Sequence, residues 1–123
     1  MKKILLVILC AAYLTACKKD KGDTQEPMIN VTSPTANQQF TAGQTVNVVA
    51  TMTDDDELNE VHLFVTNKST GVDVVHFANH VDVETYTITQ SFTAGAGITY
   101  NVKFEATDHS GNHAEVQFEI KGN

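Results

Sequence analysis

Residues 99–121 read TYNVKFEATDHSGNHAEVQFEIK. Apolar and polar side chains alternate through both ends of this segment, with the apolar ones at Tyr100, Val102, Phe104, Ala106, Ala114, Val116, Phe118 and Ile120. A period of two puts the apolar side chains of a β-strand on one face. Ser110, Gly111 and Asn112, between the two alternating runs, are residues that favour a turn. The segment therefore predicts two antiparallel strands that share one buried face.

The same alternation recurs upstream, separated by short polar or glycine-containing turns. We predict seven strands, named A to G in chain order: 29–32, 45–53, 60–67, 72–78, 85–92, 99–107 and 113–121. After Val31 no segment shows the 3.6-residue repeat of an amphipathic helix. Seven short strands with turns every 8 to 12 residues are typical of a Greek-key β-sandwich. The predicted fold class is therefore all-β.

Several of these residues also resemble a known family. Ser33-Pro34, Gly43 before strand B, Tyr100 early in strand F, and the turn from Ala106 to Asn112 together resemble bacterial Ig-like and cadherin-like repeats, whose F–G turn reads Ala-x-Asp-x-x-Gly-Asn. The resemblance covers residues 28–121. It implies a tyrosine-corner role for Tyr100 and a structured turn at Asp108, Gly111 and Asn112. The domain lacks tryptophan and a cysteine pair, unlike antibody domains, and the resemblance does not specify a function.

The N-terminus has the pattern of an export signal. Lys2 and Lys3 precede an apolar run over residues 4–14, which is too short to span a bilayer and has the length of a signal-peptide core. Leu14-Thr15-Ala16-Cys17 resembles the lipobox of bacterial lipoproteins. The resemblance implies a signal peptide at 1–16 and acyl chains on Cys17, which would anchor the protein in a membrane. The alternative is an ordinary secretory signal that leaves Cys17 as a free thiol.

The segment after Cys17 predicts a flexible tether at 17–27, followed by one domain at 28–123. Residues 18–27 contain no apolar side chain that could be buried. Lys18 stands where the family's inner-membrane retention signal has Asp, so the resemblance implies placement in the outer membrane of the cell envelope. It leaves open whether the domain faces the periplasm or the cell surface.

Charge and cysteine content exclude two classes of protein. The chain has a net charge of −7 and no arginine, and residues 28–121 hold three lysines against twelve acids. Nucleic-acid binding needs clustered basic side chains, so we exclude a nucleic-acid partner. Both cysteines lie within the first 17 residues, so no disulfide framework holds the domain together.

An Ig-like topology brings the B–C, D–E and F–G connections to one end of the sandwich. Acidic residues occur in all three. We predict no required cofactor, and the candidate ligands of a possible Ca²⁺ site are Asp54, Asp56, Asp108 and Asn112, with Asp82 and Glu84 nearby. The alternative is that Asp108 and Asn112 only hydrogen-bond their own turn, while the acids at 54–57 are solvated.

The histidines give a weaker metal signal. His76 and His80 lie about 13 Å apart along a strand, too far to share one ion. His109 and His113 flank a tight turn and could approach each other, with His80 as a third ligand. We therefore expect the histidines to be solvent-exposed imidazoles by default.

No serine lies in a Gly-x-Ser-x-Gly context, and a domain of this size rarely encloses a catalytic cleft. We therefore predict a non-catalytic, envelope-anchored interaction module whose partner is an envelope protein or an extracellular glycan. The alternative function is a Ca²⁺-dependent or carbohydrate-binding accessory lipoprotein.

Overall fold

A computed structural model describes residues 22–123, which contain six β-strands. They are β1 (Met28–Ser33), β2 (Gln39–Phe40), β3 (Thr45–Asn67), β4 (Asp73–Thr93), β5 (Thr99–Asp108) and β6 (His113–Gly122). Within this range no helix is long and apolar enough to cross a membrane. The predicted signal peptide and Cys17 lie outside the described residues.

The all-β prediction is confirmed, but the division into seven strands is wrong. Predicted strands B and C are one strand, β3, and predicted strands D and E are one strand, β4, while β2 was not predicted. The β3–β4 ladder passes from the pair Thr53–Thr85 to the pair Leu58–Val83. Four residues of β3, 54–57, therefore bulge opposite Glu84 alone. A bulge bends a strand without ending it, so the two strands form one folded ribbon.

The folded ribbon contributes to two layers. In the first layer, residues 45–53 of β3 lie between β1 and residues 85–93 of β4. In the second layer, residues 58–67 of β3 lie between residues 73–83 of β4 and β5. β6 pairs with β5 antiparallel, and β2 pairs with the far side of β6 in parallel. The product is a sandwich in which β3 and β4 pass from one layer to the other.

The core lies between the layers, and both halves of β3 face it. The buried side chains of β3 are at even positions up to Leu58, beyond the bulge, and at odd positions from Val61 to Val65, which requires one shift in the alternation. A second register shift in the ladder, between Leu58 and Glu60, coincides with this change. The fully buried side chains include Val46, Val48, Ala50, Met52, Leu58, Val61, Leu63, Val65, Val102, Phe104 and Ala106.

The two ends of the sandwich differ in how the chain enters and leaves. We call the end with residues 54–57, 82–84 and 109–112 the apex, and the opposite end the base. β1 begins at the apex, because Met28 pairs with Thr53 beside the bulge. The chain ends at the base, where the Asn123 N–H donates to the Phe40 carbonyl at 2.8 Å. The N-terminal segment therefore joins the domain at its apex.

Candidate functional site

Asp108 is the buried charged residue of the domain, at 1% exposure. It ends β5, and Asn112 binds it from across the turn to β6. The Asn112 backbone N–H donates to Asp108 Oδ1 at 2.8 Å, and Asn112 Nδ2 donates to Asp108 Oδ2 at 2.7 Å. Burial raises the pKa of Asp108, but hydrogen bonds from Asn112, with others from the Ser110 backbone and the Asp23 side chain, outweigh it, and the pKa lies below its ordinary value. Asp108 is therefore ionised at neutral pH.

The predicted turn at Gly111 is present, and Gly111 has the left-handed backbone conformation that favours glycine. Gly111 has a φ of +88°, and its N–H donates to the Asp108 carbonyl at 3.3 Å. A side chain at this φ would be strained, which explains the glycine. The turn thus fixes Asn112 so that its amide reaches the carboxylate of Asp108.

Asp23 also belongs to this site, although we did not predict it. Asn112 Nδ2 donates to the Asp23 carbonyl at 2.9 Å, which joins the segment before β1 to the turn after β5. Oxygens from the carboxylates of Asp23, Asp54 and Asp108 all lie within 4.8 Å of one another. We call these three residues the apex cluster. A contact that spans 89 positions of sequence leaves no local pattern, so a single sequence carries no signal for it.

Two oxygens of the apex cluster are buried without a hydrogen-bond partner in the described residues: Asp23 Oδ2 and Asp54 Oδ1. Burial raises the pKa of Asp54 above its ordinary value, and the negative charges of Asp108 and Asp23 add to this effect. The backbone N–H of Asp56 opposes it by donating to Asp54 Oδ2 at 3.1 Å. Buried polar atoms are normally paired, so the arrangement suits a bound cation or a shared proton.

The predicted Ca²⁺ ligands therefore separate into two groups. The fold brings Asp54 and Asp108 together and holds Asn112 against Asp108. Asp56 is exposed, and its carboxylate is not among the three that converge. The D–E residues Asp82 and Glu84 lie within β4 rather than in a loop.

A second group of charged side chains lies beside the apex cluster. His109 Nε2 lies 2.8 Å from Asp82 Oδ1 and 3.9 Å from Glu57 Oε2. His80 Nε2 lies 3.5 Å from the same Asp82 oxygen, and the two imidazole rings meet edge to face with centroids 6.4 Å apart. His80 and His109 thus share one carboxylate, while His113 on β6 faces Thr107 on β5 instead.

Tyr100 lies at the base, opposite the apex cluster. Its side chain is buried, the Gly95 N–H donates to its hydroxyl at 2.9 Å, and its ring packs edge to face on Phe92. The hydroxyl thus ties the loop between β4 and β5 to the start of β5. Tyr100 therefore has a structural position rather than a place in the apex cluster.

Comparison with known proteins agrees with this architecture. Fibronectin(III)-like modules of CbhA from Clostridium thermocellum are 25% identical, with a TM-score of 0.50, over 77% of this chain and 94% of the module. A superoxide reductase (neelaredoxin) from Ignicoccus hospitalis is 12% identical, with a TM-score of 0.54, over 80% of each chain, which shows a shared fold alone. No curated protein matches the chain significantly.

A family model described as Bacterial Ig domain matches residues 27–97, which is more than half of the chain. The match includes β1 to β4 and the bulge with Asp54. It stops before Tyr100, Asp108 and the turn to β6, so these residues complete the sandwich outside the matched segment. The chain belongs to the bacterial Ig domain family.

Proposed function

We propose that this protein is a lipid-anchored interaction module of the bacterial cell envelope, held by Cys17 and non-catalytic. The lipobox-like sequence from Leu14 to Cys17 supports the anchor. The entry of the chain at the apex, where Asn112 donates to the Asp23 carbonyl, supports the orientation of the domain. Residues 18–22 can span at most about 20 Å between Cys17 and Asp23. An anchor at Cys17 would therefore keep the apex near the membrane and direct the base outward.

The base is then the end that a partner would meet. It carries the turn at 68–71 between β3 and β4 and the loop at 94–98 between β4 and β5. Bacterial Ig domains serve as interaction modules, and connecting loops on a rigid sandwich commonly provide the binding residues. We infer that an envelope protein binds at the base, and an extracellular glycan is the other partner class to test.

The anchor is tested by replacing Cys17 with Ser. We expect the wild-type chain to fractionate with the outer membrane and to incorporate labelled fatty acid. The Cys17→Ser chain should do neither, and the matched control Cys10→Ser should behave as wild type. Membrane attachment of the Cys17→Ser chain, or a soluble wild-type chain, would contradict the proposed anchor.

The orientation is tested separately with photo-crosslinking residues placed at Ser69, in the turn at the base, or at Asp55, in the bulge at the apex. We expect crosslinks to a specific envelope protein from position 69 and not from position 55. Crosslinks only from position 55 would mean that the partner binds at the apex, and the proposed orientation would be wrong. If neither position crosslinks to a protein and the purified chain binds a glycan array, the partner is a glycan rather than a protein.

A second candidate function is Ca²⁺ binding by the apex cluster, favoured by the two buried oxygens without partners. Ca²⁺ prefers oxygen ligands from carboxylates and carbonyls, and the cluster supplies three carboxylates. Binding would also fix Asp23, and with it the start of the domain relative to the anchor. The competing explanation for the same geometry is a proton shared between two of the carboxylates.

Calorimetric titration of the chain with Ca²⁺ separates these explanations. We expect heat of binding at neutral pH that Asp54→Asn abolishes and that Asp73→Asn, an exposed acid at the base end of β4, does not change. Mg²⁺ serves as the control for general attraction to an acidic surface. No heat and no change in melting temperature at millimolar Ca²⁺ would favour the shared proton and remove this candidate.

A further inference from the structure

The outer face of the second layer brings together most of the histidines of the chain. Directly paired residues of antiparallel strands point to the same face of a sheet. His62 on β3 pairs with Ala78 on β4 and with Glu105 on β5, and Glu105 pairs with Glu115 on β6. The histidines on this face, assigned through the same ladders, are His62, His76, His80 and His113.

Three side chains of β5 and β6, on this face near the apex, have the spacing of metal ligands. Ligand atoms of Glu105, His113 and Glu115 all lie within 4.8 Å of one another. In a tetrahedral Zn²⁺ site the ligand atoms are about 3.3 Å apart, given Zn–N bonds of about 2.0 Å. Small side-chain rotations on these two neighbouring strands would bring the ligand atoms from within 4.8 Å of one another to the spacing of about 3.3 Å. The arrangement is therefore close to a three-ligand site before any ion binds.

The negative charges of Glu105 and Glu115 repel each other, and a bound cation would relieve this repulsion. Glu105 and Glu115 face each other directly across the β5–β6 ladder, and like charges at such a pair destabilise a sheet. The Glu105 side chain is only 21% exposed, which limits screening by water. Lys103 Nζ donates to Glu105 Oε1 at 2.8 Å and supplies one positive charge against the two carboxylates.

The imidazole of His113 is already oriented. Its Nδ1 lies 3.3 Å from Thr107 Oγ1, the residue it pairs with on β5. In the tautomer that donates from Nδ1 to this hydroxyl, the lone pair of Nε2 is free to bind a metal. Metal-binding histidines usually have such a hydrogen bond on the second ring nitrogen, because it fixes the tautomer and the ring.

We propose that Glu105, His113 and Glu115 bind a divalent transition-metal ion of the Zn²⁺ class on the outer face of the second layer. The mixture of imidazole and carboxylate ligands favours such an ion over Ca²⁺ or Mg²⁺, which prefer oxygen alone. Three protein ligands leave one tetrahedral position of the ion open. The site therefore suits an exchangeable ion, or an ion that binds a second molecule at the open position. It shares no residue with the apex cluster.

The test measures Zn²⁺ affinity of the full chain in detergent, purified without a histidine tag. Cys10→Ser and Cys17→Ser are present in every sample so that thiols do not bind the ion. We expect one Zn²⁺ per chain by competition with a chromophoric chelator, and an X-ray absorption spectrum with oxygen and nitrogen ligands including one imidazole. His113→Gln and Glu115→Gln should each weaken binding at least tenfold while the circular dichroism spectrum stays that of a folded β-protein.

The controls lie on the same face and at the neighbouring clusters. His76→Gln and Asp54→Asn should leave Zn²⁺ affinity unchanged. Lys103→Gln should tighten binding several-fold, because it removes a cation that competes for Glu105. If His76→Gln weakens binding as much as His113→Gln, the ion binds this face without a defined site and the proposal is wrong. It is equally wrong if His109→Gln abolishes binding while His113→Gln does not, since the ion then belongs to His80, Asp82 and His109.

Discussion

Replacing Asp54 by Asn removes one negative charge from the apex cluster and keeps the shape of the side chain. The oxygens of the cluster lie within 4.8 Å, where two unit charges repel by about 3.5 kcal/mol at an effective dielectric constant of about 20. Asp54 is partly exposed, so solvent screens much of this repulsion. The amide oxygen can still accept the Asp56 N–H, and the new Nδ2 can donate to a neighbouring carboxylate.

We therefore expect the Asp54→Asn chain to be more stable than wild type by about 1 kcal/mol at pH 7 without Ca²⁺. For a domain of this size that raises the melting temperature by about 4–8 °C. With saturating Ca²⁺ we expect the wild-type chain to become more stable than the Asp54→Asn chain. At a free concentration 100 times the dissociation constant, wild type gains about 2.7 kcal/mol, and the variant gains little.

The pH dependence provides an independent check. The pKa of Asp54 is raised in the folded protein, so the wild-type folded state binds a proton more readily than the unfolded chain. Wild-type stability should therefore increase, relative to the variant, as pH falls from neutral through the raised pKa toward the ordinary value of 3.8. The two melting temperatures, measured by circular dichroism in chelator, should converge on the acid side. A variant that is less stable than wild type at pH 7 in chelator would refute the repulsion argument.

Three further substitutions, with Ser69→Ala as a control, test the scaffold by chemical denaturation. Phe104→Ala empties the largest fully buried side chain and should cost about 3–5 kcal/mol, and a loss below 1 kcal/mol would mean that the layers do not pack there. Tyr100→Phe leaves the Gly95 N–H without its acceptor and should cost about 1–3 kcal/mol with no change in Ca²⁺ response, whereas an unchanged unfolding midpoint would show that water replaces the hydroxyl. Gly122→Ala should destabilise the base, because its Cβ would overlap the backbone carbonyl of Gly95, while Ser69→Ala in the exposed turn should be neutral.

The strands were predictable because most alternating apolar positions face a common core. Val102, Phe104 and Ala106 are buried as the alternation requires. The continuity of β3 through residues 54–57 was not predictable in the same way, since a run of acids is as compatible with a bulge as with a loop. Only the pairing of Thr53 with Thr85 and of Leu58 with Val83 distinguishes the two, and that pairing depends on tertiary structure.

The apex cluster was predictable in part for a related reason. Asp108 and Asn112 interact across a four-residue separation, which a turn motif encodes locally. Convergence of Asp54 with Asp108 follows from Ig-like topology, which brings the connections of both residues to one end. Asp23 contacts Asn112 across 89 positions in a segment that has no apolar pattern, so neither local chemistry nor periodicity indicates it.

The ribbon of β3 and β4 has a consequence for how the domain opens. Because each of these strands is hydrogen-bonded in both layers, neither layer can detach while the other stays intact. β1 pairs with β3 alone, and the two residues of β2 pair only with β6, so these segments can fray locally. Amide protons along Val61–Val65 should therefore exchange with solvent only in global unfolding, and those of β1 and β2 much earlier. The domain should lose its structure in one cooperative step rather than layer by layer.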